Sequence, residues 1–183
     1  MKFLKNFCLF LGMAVVAAGF VACSDDDDNG GGNGGGSASV GGTTYSAKYA
    51  YWESDGNSVS FAFSSYDMEN PASLASAGTF STLDITIATP SHVEALSELA
   101  DGEYTGAVVG VAGKLTDANM KGFSGVLKVN FKKNGGKYTV SIPEQEVETF
   151  ISDLRGEGEP QSTGTSKFSF NYTGTFKDMP EDY

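Results

Sequence analysis

Apolar residues recur at every second position through much of this chain. In "KFSFNYTGTF", Phe168, Phe170, Tyr172, Gly174 and Phe176 fall on one face of an extended segment, while Ser169, Asn171, Thr173 and Thr175 fall on the other. That alternation predicts a strand with one side toward a core and one toward water. "GFSGVLKVNF" repeats the pattern with Phe123, Gly125, Leu127, Val129 and Phe131, and Asn134-Gly135-Gly136 reads as a hairpin turn into Tyr138, Val140 and Ile142. Upstream, Tyr45, Ala47, Tyr49 and Tyr51 alternate with Thr44, Ser46, Lys48 and Ala50, and "SDGN" at Ser54 to Asn57 turns the chain into Val59, Phe61 and Phe63. Leu83, Ile85 and Ile87 give a strand stopped by Pro90, and Tyr104 to Val111 and Val147 to Leu154 bring the count to about eight. One window reads as a helix, Ser91 to Ala100, with Ser91 as N-cap, Glu94 three residues on, an apolar face of Val93, Leu96 and Leu99, and Asp101-Gly102 as its stop.

These elements predict a single all-β domain over residues 43–183, an antiparallel β-sandwich or a flattened barrel of about eight strands with one short helix. Eight strands can close around a filled interior or hold one small ligand, and inward-facing Phe and Tyr serve either. Residues 24–42 are almost entirely Ser, Asp, Asn, Gly and Ala. Such a composition buries too little apolar surface to offset the entropy of ordering, so it predicts a flexible tether reaching roughly 23 Å on average.

The N-terminus carries an address. Lys2 and Lys5 precede an almost wholly apolar run, Phe7 to Ala22, which predicts a secretory signal over residues 1–22. That run of 16 residues is short for a membrane span, which needs about 20. Cys23 follows it and has no other cysteine to pair with, since Cys8 lies inside the signal. Val21-Ala22-Cys23 resembles a lipobox, where bacterial lipoproteins are acylated on cysteine, with Phe20 in place of the usual leucine. Two or more acyl chains hold a protein firmly at a bilayer, so the implied partner is a membrane reached through a lipid anchor on Cys23. "CSDDDDN" resembles the surface-export signal of lipoproteins from Bacteroides-type bacteria. The resemblance implies that Ser24, Asp25, Asp26, Asp27 and Asp28 direct the chain to the outer face of the outer membrane.

Charge narrows the partners further. The formal net charge of −11 includes the two signal lysines, so the mature chain carries 10 basic against 23 acidic groups, or −13. Such a surface repels phosphate backbones, which excludes nucleic acid as a partner class.

Candidate chemistry is sparse, and no cofactor signature occurs. Asp25 to Gly30 opens like a calcium loop, but its twelfth position is Gly36 where a bidentate glutamate belongs, so metal binding is not expected there. His92 is the sole histidine, which rules out histidine clusters for zinc, and no nucleophile-elbow motif accompanies it. "GVAGKL" at Gly110 to Leu115 lacks the remaining features of a phosphate loop and reads as a turn. Glu144, Glu146 and Glu148 alternate, so an extended segment projects them to one side. They read as a charged strand edge opposite Lys132, Lys133 or Lys137, as a carboxylate pair, Glu146 with Glu148, for glycoside hydrolysis, or as three ligands for calcium. Trp52 falls on the parity of Thr44, Ser46 and Lys48. It reads either as an exposed indole stacking on a sugar with Tyr66, Asp55 and Asn57 nearby, or as a packed residue where the alternation breaks.

The order of "TTYSAKYAYW", "SVSFAF", "LDITIA", "LADGEYTG", "VLKVNFKKNGGKYTVSI" and "FSFNYTGTF" resembles small all-β surface lipoproteins of Bacteroides-type bacteria, some of them lipocalin-like or calycin-like. The resemblance implies a fold, a lipocalin-like barrel among the alternatives, and no functional residue. The leading functional expectation is a non-enzymatic surface module that binds a glycan, a peptide or a small apolar ligand. A structural or accessory subunit partnering an outer-membrane protein and a hydrolase are the other two.

Overall fold

The computed structural model describes residues 34–155 and 158–180. Ten strands form one continuous sheet: β1 (Gly34–Val40), β2 (Thr43–Ala47), β3 (Tyr49–Asp55), β4 (Ser58–Ser64), β5 (Thr79–Ala88), β6 (Gly102–Lys114), β7 (Asn119–Asn134), β8 (Lys137–Asp153), β9 (Gln161–Gly174) and β10 (Lys177–Asp178). Their spatial order is β10-β3-β4-β5-β6-β7-β8-β9-β1-β2. All neighbours are antiparallel except β10, which lies parallel to β3. The all-β prediction stands, as one curled sheet and with ten strands where about eight were expected. The curl forms a half-barrel in which the terminal strand β2 bonds back to β5: the Ser46 N–H donates to Ser81 Oγ at 2.9 Å, and Ser81 Oγ lies 3.3 Å from the Ser46 carbonyl it donates to. A buried serine thereby joins the last strand of the sheet to its fourth.

The difference in strand count has local causes. The predicted strand from Tyr45 to Tyr51 divides at Lys48, sending Tyr45 and Ala47 into the main core while Tyr51 is buried on the opposite face with Ala62 and Met68. Two predicted segments, one ending at Ile142 and one starting at Val147, are halves of a single strand, β8. Residues 110–114, read as part of a turn, lie inside β6. β1 and β10 are additional. Residues 34–40, assigned to the flexible tether, form β1, paired to β2 and β9. Glycine serves a packing need there: a Cβ on Gly36 would stand 2.7 Å from the Asn171 carbonyl oxygen, so only a bare Cα fits against β9.

The predicted helix is also corrected. Residues 91–100 hold only a 3₁₀ turn, Leu96–Glu98, although Val93, Leu96 and Leu99 are buried as their spacing implied. The α-helix among the described residues is α1 (Pro71–Ala77), with Pro71 in its first turn and Gly78 at φ 65° closing it in the left-handed region. It lays Leu74 over the outer face of the sheet beside Phe80, Val111, Met120 and Leu154.

The sheet's inner face encloses the main core. Aromatic rings interlock through it, with Phe63 touching Phe170, Tyr172 and Phe176 at centroid separations of 4.8, 5.0 and 5.6 Å, and Phe123 touching Phe168 and Tyr45 at 4.5 and 5.0 Å. Both predicted hairpins are present. Asn134 pairs with Lys137 across Gly135-Gly136, both at positive φ, and Asp55 pairs with Ser58 across Gly56-Asn57.

β8 carries the feature that shapes the outer face. Ile142 pairs with Phe170 and Gln145 with Phe168, so two residues, Pro143 and Glu144, oppose the single Ser169. This is a β-bulge, and it lets a proline, which has no N–H to donate, sit in an interior strand. On the β7 side the register also shifts between Ser124 and Asn130. There the Gln145 side chain replaces the missing peptide: its Oε1 accepts the Lys128 N–H at 2.9 Å and its Nε2 donates to the Lys128 carbonyl at 3.0 Å. Gln145→Leu removes both bonds while keeping bulk, so we expect a loss of about 1–2 kcal/mol in chemical denaturation. An unchanged midpoint would show that water serves Lys128 equally well.

Candidate functional site

The residues that sequence reasoning grouped around Trp52 do not converge. Trp52 pairs in register with Phe61 and packs against the main core, half-buried, because the division at Lys48 reverses the parity of β3. The expectation of a solvent-face indole is corrected, and the packed alternative describes it. Tyr66 lies on the other side of the sheet, against the outer clusters around Leu74 and Tyr51. Partial burial and the charge of Asp84 push its hydroxyl up to about 12. Asp55 and Asn57 are exposed at the β3–β4 turn. A sugar cannot rest on all four at once.

His92 stands near that turn, with Nδ1 3.3 Å from Ser54 Oγ and 3.2 Å from the Gly56 carbonyl oxygen. Both contacts tie the loop after β5 to the β3–β4 hairpin. The pair is a structural contact of the hairpin. Glu53, half-buried on the same strand, has its carboxyl held above the ordinary range by burial first and by Asp55 second.

Glu144, Glu146 and Glu148 are exposed, and β8 has neighbours on both sides, so the strand-edge reading is corrected. The glutamate that pairs is Glu144, whose Oε1 lies 2.6 Å from Lys167 Nζ, rather than one facing Lys132, Lys133 or Lys137. Glu146 and Glu148 stand in register with Lys167 and Thr165 on an open surface. Among the described residues no group of three or more His, Cys, Asp or Glu converges to hold a metal ion, and no helix is long and apolar enough to cross a membrane. Cys23, Ser24 and Asp25 to Asp28 lie outside the described residues, as do residues 1–22 and the calcium-like string.

A groove of about 420 Å³ lies beside the bulge, lined by Ser37, Asn130, Ser141, Ser169 and Asn171 together with the apolar Ile142, Pro143 and Phe170. Four strands contribute. Asn130 of β7 pairs with Ser141 of β8, and Ser141 pairs with Asn171 of β9. Ser37 follows Gly36, the β1 partner of Tyr172, and so extends the row. One row further along, Thr139 and Thr173 satisfy each other at 2.9 Å. In the groove row, by contrast, none of the five Ser and Asn side chains bonds to another described residue. Two residues along β7 and β9 from groove residues Asn130 and Ser169, Lys128 is paired with Glu103 at 3.0 Å and Lys167 with Glu144. The alternation had placed Ser169 and Asn171 on a solvent face, but the row itself depends on cross-strand register.

Against protein-family models, curated proteins and solved structures alike, the chain has no significant match.

Proposed function

We propose that this protein is an outer-membrane surface lipoprotein that acts as a non-enzymatic binding module, holding an extracellular ligand against the outer face of its sheet. The observation that carries the reading is a contrast between the two faces. Aromatic rings in mutual contact occupy the inside of the curl, whereas the outside offers a groove whose Ser and Asn side chains have no hydrogen-bond partner among the described residues. A small apolar ligand inside the barrel is disfavoured on the same ground. The address rests on the sequence: a short apolar leader, a cysteine with no partner in the mature chain, and four aspartates after it. The resemblance to lipocalin-like surface lipoproteins agrees with it. With β1 starting at Gly34, the tether is shorter than residues 23–42, and the sheet sits closer to the bilayer.

The address is tested by growing the cells that make the full chain on radiolabelled palmitate. The wild type incorporates label and fractionates with membranes, and Cys23→Ala loses the label and appears in the soluble fraction. Protease added to intact cells degrades the wild type. An unlabelled wild type, or one cleaved only after lysis, overturns the surface-lipoprotein reading.

A further inference from the structure

We infer that the groove at the β8 bulge is the ligand site, and that it takes an uncharged, polyhydroxylated ligand, a neutral glycan segment laid across the strands. This rests on the binding-module reading above and assigns it a place and a chemistry. The side chains decide the class. Ser37, Ser141 and Ser169 each offer a hydroxyl that donates and accepts, and Asn130 and Asn171 each present a donor and an acceptor on one planar amide. That is the complement of ring hydroxyls, which likewise do both.

The charge distribution excludes the obvious competitors. In a mature chain of net −13, the groove lining contains no ionisable group to fix an anion. An anionic ligand would therefore gain little at the site. A peptide strand would need a free sheet edge or apolar side-chain pockets. This groove lies on the face of interior strands, whose backbone groups are committed to the ladder. Its length also fits a chain: the row from Ser37 to Asn130 spans three inter-strand steps, about 14 Å.

The bulge lies within the groove. Two residues of β8 oppose one of β9 there, and Pro143 and Ser169, on either side of the irregularity, both line it. Bulges are found next to binding sites because they re-aim side chains without breaking the sheet.

The test uses the full chain in a sugar-free detergent, titrated calorimetrically with neutral oligosaccharides (gluco-, manno-, galacto- and N-acetylglucosamine hexamers), with oligogalacturonate, and with a random octapeptide pool. We expect at least one neutral hexamer to bind, and the double variant Asn130→Ala/Asn171→Ala to weaken it at least tenfold with an unchanged thermal midpoint. Asn171→Arg, which fills the groove from an exposed position, should do the same if the double variant folds poorly. A neutral hexamer bound equally by wild type and both variants, or lost in Trp52→Phe instead, overturns the site and leaves the binding module standing. Preference for oligogalacturonate or peptide overturns the ligand class. If none of the probes binds the wild type, the binding-module reading falls with it.

Discussion

Gly110→Ala is expected to destabilise the domain by about 3 kcal/mol, lowering its thermal midpoint by about 10 °C. A Cβ at this position would lie 2.2 Å from Cε1 and 2.6 Å from Cζ of Phe123, well inside contact distance. The two residues are register partners on β6 and β7, and the ring lies flat over the bare Cα. Relief would require the ring to swing away, but Phe123 is fully buried between Tyr45 and Phe168. The methyl therefore forces either an off-rotamer ring or a separation of two central strands. Phe123→Leu removes the two nearest atoms, so Gly110→Ala should cost at least 1 kcal/mol less in a Phe123→Leu background than alone. Denaturant midpoints of the four proteins measure this. Gly110→Ala within 0.5 kcal/mol of the wild type would sink the argument.

The same contact illustrates which parts of the fold were legible. Alternation finds a strand because the pleat imposes it, so Phe168 to Phe176 and Phe123 to Phe131 could be read directly, inward residues included. It fails where a residue is apolar on the outer face. Tyr51 has the parity of a core residue in the sequence, yet it serves a second cluster outside the sheet, with its hydroxyl donating to Asp67 at 2.7 Å. No glycine or proline marks Lys48, where the strand divides, so the parity of Trp52 was inverted with it. In β8 the signal was present: buried apolar positions pass from even numbers at Val140 and Ile142 to odd at Val147, with Pro143 between, which is how a one-residue bulge looks in a sequence.

Composition misled at both ends of the helix problem. Gly34 to Gly36 look like linker, but at Gly36 the close approach to β9 requires a residue without a side chain. Ser91 to Ala100 has the apolar spacing of a helix and buries those residues from a mostly irregular loop. Pro71 and Gly78, by contrast, are ordinary start and stop signals around α1. The groove was the least legible feature. Its row joins Ser37 to Asn171 across most of the domain, and such a site exists only once register is fixed.

Raising the pH above 10 is expected to unfold the domain cooperatively, because several tyrosines must stay neutral to remain where they are. Burial pushes the hydroxyls of Tyr45 and Tyr172 up to about 12 from 10, and it raises Tyr51 further, helped by its bond to Asp67. The sign follows from linkage. For a group whose pKa is higher when folded, the stability it lends is complete below the unfolded value and is lost as pH climbs toward the folded one. The window therefore opens near pH 10 and closes near 12. Discounted for solvent screening, each such tyrosine lends stability of about 1–2 kcal/mol over that window, a sizeable part of what a domain of this size has. Absorbance at 295 nm should show the exposed tyrosines ionising first, followed by a steep step that coincides with loss of the β-sheet circular dichroism. Tyr172→Phe cannot ionise and forgoes only its bond to the Thr175 carbonyl, so its unfolding step should move to higher pH. Tyrosines that all ionise smoothly near pH 10 with the sheet intact would mean that the core admits the phenolate, and that the ring packing is looser than the contacts drawn above require.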